Sequence, residues 1–310
     1  MSTTPAVICL DLGGSFVKLG VMDAQQQLTI LDQQKIPADS WPDFTALVSR
    51  MIQQHQHFST DSPLAISTAG IVAPDSGEMF ASNIPAFHQR NLSQALGELL
   101  QRKVIVHNDA DCFTFAEAQA GVGKGHKVVF GAILGSGVGG GLVADGRIIT
   151  GQNGLTGEWG HGPITLTEVD IEGETIRLPR QPCPCGQKGC LDSYGGARGL
   201  ENLHRTLYDV NASSLDIIAG WQQQEVQANR TIQVWLQLVS QPLAYTINIT
   251  GASLVAVGGG LASVTALMEA LNEEVQRYVL RSTQHPLVVP GVFAHNGGMI
   301  GAALLARQVA

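Results

Sequence analysis

The sequence predicts an α/β protein of two domains that repeat one plan and face each other across a cleft. Two short apolar runs, residues 6–11 and 17–21, flank Gly13-Gly14, and the runs at 128–134 and 142–144 flank the glycine-rich stretch from Gly135 to Gly141 in the same way. Elsewhere strand-like and helix-like patterns alternate, as expected of an α/β chain. No linker or low-complexity tract divides the 310 residues, a length that suits two ordinary domains.

The elements follow in order from apolar spacing. Residues 6–11 are a continuous apolar run and read as a buried strand. Val17 to Val21 and Leu28 to Ile36 are the next two strands, with Asp11-Leu12-Gly13-Gly14-Ser15 at the tip of the first hairpin. That tip is not a dinucleotide fingerprint, which needs strand–loop–helix and G-x-G-x-x-G, and no G-x-x-x-x-G-K-[ST] P-loop occurs. Residues 41–57 carry Phe44, Leu47, Val48, Met51 and Ile52 at helical spacing, capped by Ser40 with Asp43 three residues on. Leu64 to Ser67 is a strand. Residues 73–90, with Pro74, Gly77 and Pro85, read mostly as loop, and Asn91 to Leu100 as a short helix. The strand Val104 to Val106 delivers Asn108-Asp109, and Asp111 is placed to cap a helix over 112–120.

After the second hairpin and the Asp145-Gly146 turn, residues 151–195 are rich in Gly, Pro and Cys. Helices are expected over 198–207 and 222–249, the second kinked or broken at Pro242. Leu254 to Val257 is a strand, followed by Gly258-Gly259-Gly260, a helix over 262–278, a short strand at Val288-Val289 and a terminal helix from Gly297. The expected domains are a small one over 1–120 and a large one over 121–295, with the helix of residues 296–310 packing back on the first.

Composition narrows the function. Apolar residues make up 44% of the chain, enough for two cores. The 36 glycines exceed the average usage of about 7% and are clustered, which marks special loops rather than disorder. Lys plus Arg is 18 against 26 Asp plus Glu, a net charge of −8, so no electrostatic footprint for nucleic acid is present. Phosphates remain possible ligands, because backbone N–H groups and Mg²⁺ can carry their recognition. No apolar run is long enough to span a membrane, and Met1-Ser2-Thr3-Thr4-Pro5 lacks the basic start of a signal peptide. Of five cysteines, three crowd between Cys183 and Cys190, which fits metal binding in a reducing cytoplasm.

Those three cysteines form Cys183-x-Cys185-x4-Cys190, and Gly186 and Gly189 let the chain curl around an ion. His161 is the nearest histidine upstream, and Cys₃His predicts a closed, tetrahedral, structural zinc site. Cys9 and Cys112 are expected in the core. A metal-bound His161 pins Glu158 three residues away against the same cavity, where it can meet sugar hydroxyls. Asp192, two residues past Cys190, is steered by the same metal. Asp109, at the end of a strand and the start of a helix, is the candidate general base for transfer of a phosphoryl group to an alcohol; the plainer alternative makes Asp109 and Asp111 helix caps. Gly13-Gly14-Ser15, Gly135-Ser136-Gly137 and Gly258-Gly259-Gly260 allow the close backbone approach that ATP phosphates require, and Asp11 is a candidate carboxylate on the Mg²⁺ side. Lys18 lies in the second strand with its role open.

Together these stretches resemble the ROK family of bacterial sugar kinases and repressors. Asp11-Leu12-Gly13-Gly14-Ser15 resembles its opening phosphate motif, with Ser15 where Thr is usual. Glu158-Trp159-Gly160-His161 resembles its E-x-G-H motif, and Cys183 through Asp192 its zinc motif, with Asp192 in place of Glu. The resemblance runs from residue 6 to about 305. It implies an actin-like, ribonuclease H-like two-domain fold, Asp109 as catalytic base, and a sugar site lined by Asn83, Asn108, Asp109, Glu158, His161 and Asp192. It further implies that His161 holds zinc through one ring nitrogen and meets the sugar through the other, and that the protein is a homodimer. Ala81-Ser82-Asn83-Ile84-Pro85-Ala86 and Asp109-Ala110-Asp111-Cys112-Phe113 resemble members that phosphorylate N-acetylglucosamine; Ser67-Thr68-Ala69-Gly70-Ile71 resembles those acting on N-acetylmannosamine, and glucose is a third possibility. The repressors carry an N-terminal helix-turn-helix domain, and this chain is expected to lack one. A non-catalytic sugar sensor and a zinc-stapled nucleotide hydrolase are the competing classes. The first would need the pocket without turnover; the second would need a water-positioning residue and no sugar pocket.

Overall fold

The computed structural model describes residues 6–55, 63–81, 84–281 and 283–308. Two five-stranded sheets dominate it. The first is built from β1 (Val7–Leu12), β2 (Phe16–Met22), β3 (Leu28–Lys35), β4 (Leu64–Thr68) and, after the short hairpin β5 (Ile71–Val72) and β6 (Met79–Phe80), β7 (Val104–Asn108). Its order is β3-β2-β1-β4-β7, with β1–β3 antiparallel and β1, β4 and β7 parallel. The second comprises β8 (Val128–Leu134), β9 (Val138–Ala144), β10 (Arg147–Ile148), β13 (Leu254–Gly258) and β14 (Val288–Pro290), and the small hairpin β11 (Glu168–Ile171) and β12 (Glu174–Arg177) lies between β10 and β13 in the chain. Its order, β10-β9-β8-β13-β14, has the same sequence of antiparallel and parallel pairings as the first.

Helices cover the sheets. α1 (Trp41–Gln54) and α2 (Leu92–Leu100) belong to the first half, and each starts on a side-chain cap. Ser40 accepts the Asp43 N–H and Asn91 accepts the Gln94 N–H. Phe44, Leu47, Val48 and Met51 turn the apolar face of α1 into a core shared with Leu10, Leu12 and Ile66. The second half carries α4 (Asp192–Gly195), α5 (Ala197–Tyr208), α6 (Ser214–Gln222), α7 (Val226–Thr250) and α8 (Thr265–Gln276).

α3 (Asp109–Ala120) and α9 (Gly297–Gln308) pack on each other, α9 against β1 and β4, and α3 against β8 and β9. Cys9 and Cys112 are fully buried there, as expected of core cysteines. A Cβ on Gly301 would lie 1.8 Å from the Cys112 carbonyl oxygen, so these helices touch backbone to backbone. Gly301→Ala is expected to cost about 1–3 kcal/mol of stability, read as a lowered urea midpoint. An unchanged midpoint would mean that the helices separate without cost.

Several expectations are corrected. α3 begins at Asp109, and its cap is Asn108, whose Oδ1 accepts the N–H groups of Ala110 at 2.8 Å and Asp111 at 3.1 Å; Asp111 sits inside the first turn. Strand β9 starts within the glycine run, because Gly140 and Gly141 lie against Gly131, Gly157 and Thr114 with no room for a side chain. Residues 73–90 are mostly loop, as expected, and among the described residues β6 and a 3₁₀ turn at Pro85–Phe87 are the regular elements there. α7 runs unbroken through Pro242. A proline there costs about 3 kcal/mol, whereas Leu238, Val239 and Leu243 are fully buried, worth about 1.5–3 kcal/mol each, so packing carries the helix across.

Candidate active site

Parallel pairing brings the carboxyl ends of three strands to one edge. The register sets Asp11 beside Ser67 and Thr68 beside Asn108. Ligand sites in α/β sheets form at such ends. Across the antiparallel hairpin Asp11 faces Lys18, whose Nζ lies 3.7 Å from Oδ2, and the Ser67 hydroxyl donates to Asp11 Oδ1 at 3.2 Å. Lys18 thus partners Asp11. Burial raises the Asp11 pKa, against the opposing pull of Lys18 and Ser67.

Asn108 and Asp109 stand at the junction of β7 and α3. Asn108 caps the helix with its oxygen and donates its amide to the Gly70 carbonyl at 2.9 Å, which fixes the side chain at both ends. Asp109 Oδ1 accepts the Ala110 N–H at 2.9 Å. Its Oδ2 has no hydrogen bond among the described residues, and the side chain is open to solvent. Protein packed around this opening pushes the Asp109 pKa up to about 6, with the nearby charges of Asp11 and, more weakly, Glu158 acting in the same direction. Asp111 is buried at 6% exposure, its Oδ1 has no partner among the described residues, and its pKa is pushed up to about 7 by burial and then by Glu158 and Asp109. These carboxylates therefore act on one another, as in a site built to hold a proton near neutrality. A cavity of about 650 Å³ opens behind Asn108 and Asp111 along β7; Asp109 and Glu158 are not in its wall.

The Glu158–His161 segment is docked on β9. The Trp159 indole N–H donates to the Gly139 carbonyl at 2.7 Å, its ring meets Phe130 edge-on, and Gly160 lies so close to the Val138 carbonyl that no side chain fits. The two ring nitrogens of His161 face different neighbours: Nδ1 lies 3.6 Å from Cys183 Sγ, and Nε2 lies 3.8 Å from Glu158 Oε2. Burial raises the Glu158 pKa, His161 opposes it, and Asp192 adds to it. The ligand atoms of His161, Cys183, Cys185 and Cys190 all lie within 4.8 Å of one another, with the Cys185 and Cys190 sulfurs 3.6 Å apart. Four-coordinate zinc with Zn–S of about 2.3 Å and Zn–N of about 2.0 Å needs separations of roughly 3.6–3.8 Å, so the donor set fits.

Of the glycine clusters, two meet. A Cβ on Gly259 would lie 2.5 Å from the Leu134 carbonyl, so Gly258-Gly259-Gly260 abuts the turn Gly135-Ser136-Gly137. Gly259 has φ of 87°, where glycine is favoured. Gly13, Gly14 and Ser15 form the open tip of the β1–β2 hairpin, closed by the Gly13 N–H donating to the Phe16 carbonyl at 3.1 Å. Asn83 lies outside the described residues. Ser67 and Trp159 join the site through strand register and loop packing, which are tertiary and leave no mark in residue spacing.

Against known proteins, the model of the ROK family matches residues 7–309. The N-acetyl-D-glucosamine kinase of Salmonella newport (strain SL254) is 33% identical over 296 residues, spanning 95% of this chain and 97% of that protein. The ROK hexokinase from Thermus thermophilus superposes with a TM-score of 0.83 at 25% identity over 98% of each chain. A ROK family glucokinase from Streptomyces griseus, solved with glucose and AMPPNP, shares the fold with a TM-score of 0.78 at 22% identity, over 98% of this chain and 99% of its own.

Proposed function

The chain belongs to the ROK family, and from that premise we propose that it transfers the γ-phosphoryl group of ATP to the 6-hydroxyl of N-acetyl-D-glucosamine. It is an ATP-dependent sugar phosphotransferase with the actin-like α/β architecture of two sheet-bearing domains. The observation that carries the reading is Asp109: one carboxylate oxygen held by a helix N–H, the other without a hydrogen bond among the described residues, and a pKa pushed up to about 6. A base of this kind accepts the hydroxyl proton as the sugar oxygen bonds to phosphorus and ADP leaves. Glu158, Asn108 and the Nε2 side of His161 are assigned to sugar hydroxyls, with Asn83 joining them from the family resemblance. Gly13-Gly14-Ser15, Gly135-Ser136-Gly137 and Gly258-Gly259-Gly260 are assigned to the nucleotide. Mg²⁺, when bound with ATP, neutralises phosphate charge, and Asp11 is the carboxylate assigned to its side.

The metal of the His161, Cys183, Cys185 and Cys190 site is assigned as structural zinc, on the soft Cys₃His donor set. The two sheets are read as copies of one ribonuclease H-like unit, supported by their matching strand order, with the boundary near residue 121 and α9 returned to the first unit. A homodimer, no nucleic-acid partner and a cytoplasmic location complete the proposal. Among the described residues no helix is long and apolar enough to cross a membrane.

The test is kcat/KM for N-acetylglucosamine, N-acetylmannosamine and glucose side by side with Mg·ATP. A preference for N-acetylglucosamine of about 100-fold, worth about 2.7 kcal/mol of differential transition-state binding, is the expected result. A win for either other sugar overturns the substrate assignment and leaves the kinase chemistry standing. No phosphorylation of any of them overturns the kinase reading in favour of a sensor.

A further inference from the structure

The segment that follows the last cysteine grips the second glycine turn. Asp192, the first residue of α4, accepts the Val138 N–H through Oδ1 at 2.7 Å, immediately after Gly135-Ser136-Gly137. A Cβ on Gly137 would lie 2.2 Å from that same oxygen, so the turn is pressed against the carboxylate. Five residues on, the Ala197 N–H donates to the Gly135 carbonyl at 2.8 Å, and the backbone N–H and Nε of Arg198 reach the Ser136 carbonyl at 3.4 Å. Gly196 lies against Gly137 with no room for a side chain. Asp192 has no other hydrogen-bond partner among the described residues. The family resemblance puts a longer carboxylate at this place and gives it to the sugar. Here the shorter side chain is bound to the backbone of the turn.

We propose that Asp192 is a positioning residue for the nucleotide: its Oδ1 bond to the Val138 N–H holds the Gly135–Gly137 turn in the shape that receives the ATP phosphates. A charge-assisted bond to a backbone N–H is among the stronger hydrogen bonds, and this one joins the cysteine loop to the turn in a single side chain. The metal-bearing segment therefore shapes the nucleotide side of the cleft as well as the sugar side. The inference rests on the assignment of this turn to ATP.

Its test is calorimetric titration of the full-length protein with AMPPNP and, separately, with N-acetylglucosamine. Asp192→Ala is expected to raise the dissociation constant for AMPPNP about tenfold, the loss of about 1.4 kcal/mol, while the sugar constant moves less than about threefold. Asp192→Asn retains an oxygen acceptor at the Oδ1 position and is expected to recover most of the nucleotide affinity, an effect that removal of charge alone would not give. Asp192→Glu keeps the charge but carries it one methylene past Val138, and it is expected to behave like the alanine variant; it serves where the alanine variant does not fold. Weakened sugar binding with unchanged AMPPNP binding in the alanine or glutamate variant overturns the inference and returns Asp192 to the sugar. An asparagine variant as weak for AMPPNP as the alanine variant overturns it also. Wild-type protein that binds sugar but not AMPPNP overturns instead the assignment of the turn to ATP, and the inference falls with it.

Discussion

Asp109→Asn is expected to leave sugar binding intact and to lower kcat by roughly 10²- to 10⁴-fold, the range for loss of a general base. The substitution is nearly isosteric, and an amide oxygen still accepts the Ala110 N–H that orients Asp109 at 2.9 Å. Only the basic oxygen is lost. The measurement pairs kcat with the sugar dissociation constant; near-wild-type turnover would remove Asp109 from the chemistry, and lost sugar binding would make it a ligand instead. The same carboxyl sets a pH dependence. Its pKa is pushed up to about 6 from 3.8, with the desolvation caused by the protein packed around its opening the largest cause, so the form able to accept a proton predominates only above that value. Log kcat/KM is therefore expected to decline as pH falls below about 6, a limb absent from the residual rate of the asparagine variant. The stability effect has the opposite sign from that of a salt-bridged acid. A raised native pKa means that ionisation disfavours the folded state, a cost absent below 3.8 and complete above about 6. At pH 7 the asparagine variant should melt no lower than wild type, while turning over far more slowly.

The parts legible in the sequence are those whose signal is local. The first hairpin could be read because apolar runs end at Gly13-Gly14, and the metal ligands because three thiols in eight residues have few other uses. Both Asn108 and Asp111 are good capping residues, and spacing alone could not choose between them. The choice is made by β7, which extends to Asn108 and leaves its side chain between Gly70 and the first turn of α3. Similarly, the glycine-rich run from Gly135 to Gly141 reads as a turn, yet Gly139 to Gly141 are strand paired with Gly131 to Ile133, and Gly131, Gly157 and Thr114 press on Gly140 and Gly141. The hairpin β11–β12 and helix α6 fell in stretches where polar residues interrupt the apolar period, although Ser213, which accepts the Asp216 N–H, is a cap visible in the sequence. Asp192 shows the same limit at the site. Its position after Cys190 could be read, but its partner is a backbone N–H that lies 54 residues away in the chain.

Removing the metal is expected to cut activity sharply and to loosen the segment that builds both sides of the cleft. Purified protein should carry about one zinc per chain by elemental analysis, the stoichiometry of a single closed four-ligand site. Stripping it with a strong chelator, or replacing Cys190 by serine, should lower the melting temperature and reduce turnover by at least about 10²-fold with Asp109 untouched, a size that follows from losing the sugar-binding geometry rather than one contact. Apart from the metal, the loop is tied mainly by a few backbone bonds. Between Cys183 and Cys190 it turns through Gly186 and Gly189 at positive φ, with two backbone bonds between Cys183 and Gln187 or Gly186, two more at Gly189, whose N–H donates to the Gln181 carbonyl at 2.7 Å and whose carbonyl accepts the Ile164 N–H at 2.8 Å, and isolated bridges between Pro182 and Lys188 and between Pro163 and Cys190. Such bonds contribute about 1 kcal/mol each, whereas structural zinc contributes on the order of 10 kcal/mol at neutral pH. The effect spreads by named bonds. The Leu191 N–H donates to the Gly162 carbonyl at 2.9 Å, next to His161, and Asp192 holds Val138. Hydrogen exchange should thus accelerate at Gly162, Leu191 and Val138 after metal removal, while β1 and β4 in the other half keep their protection. A metal-free protein with full activity and unchanged exchange would end the zinc assignment. Accelerated exchange confined to residues 183–190 would keep the metal but cut its link to the cleft.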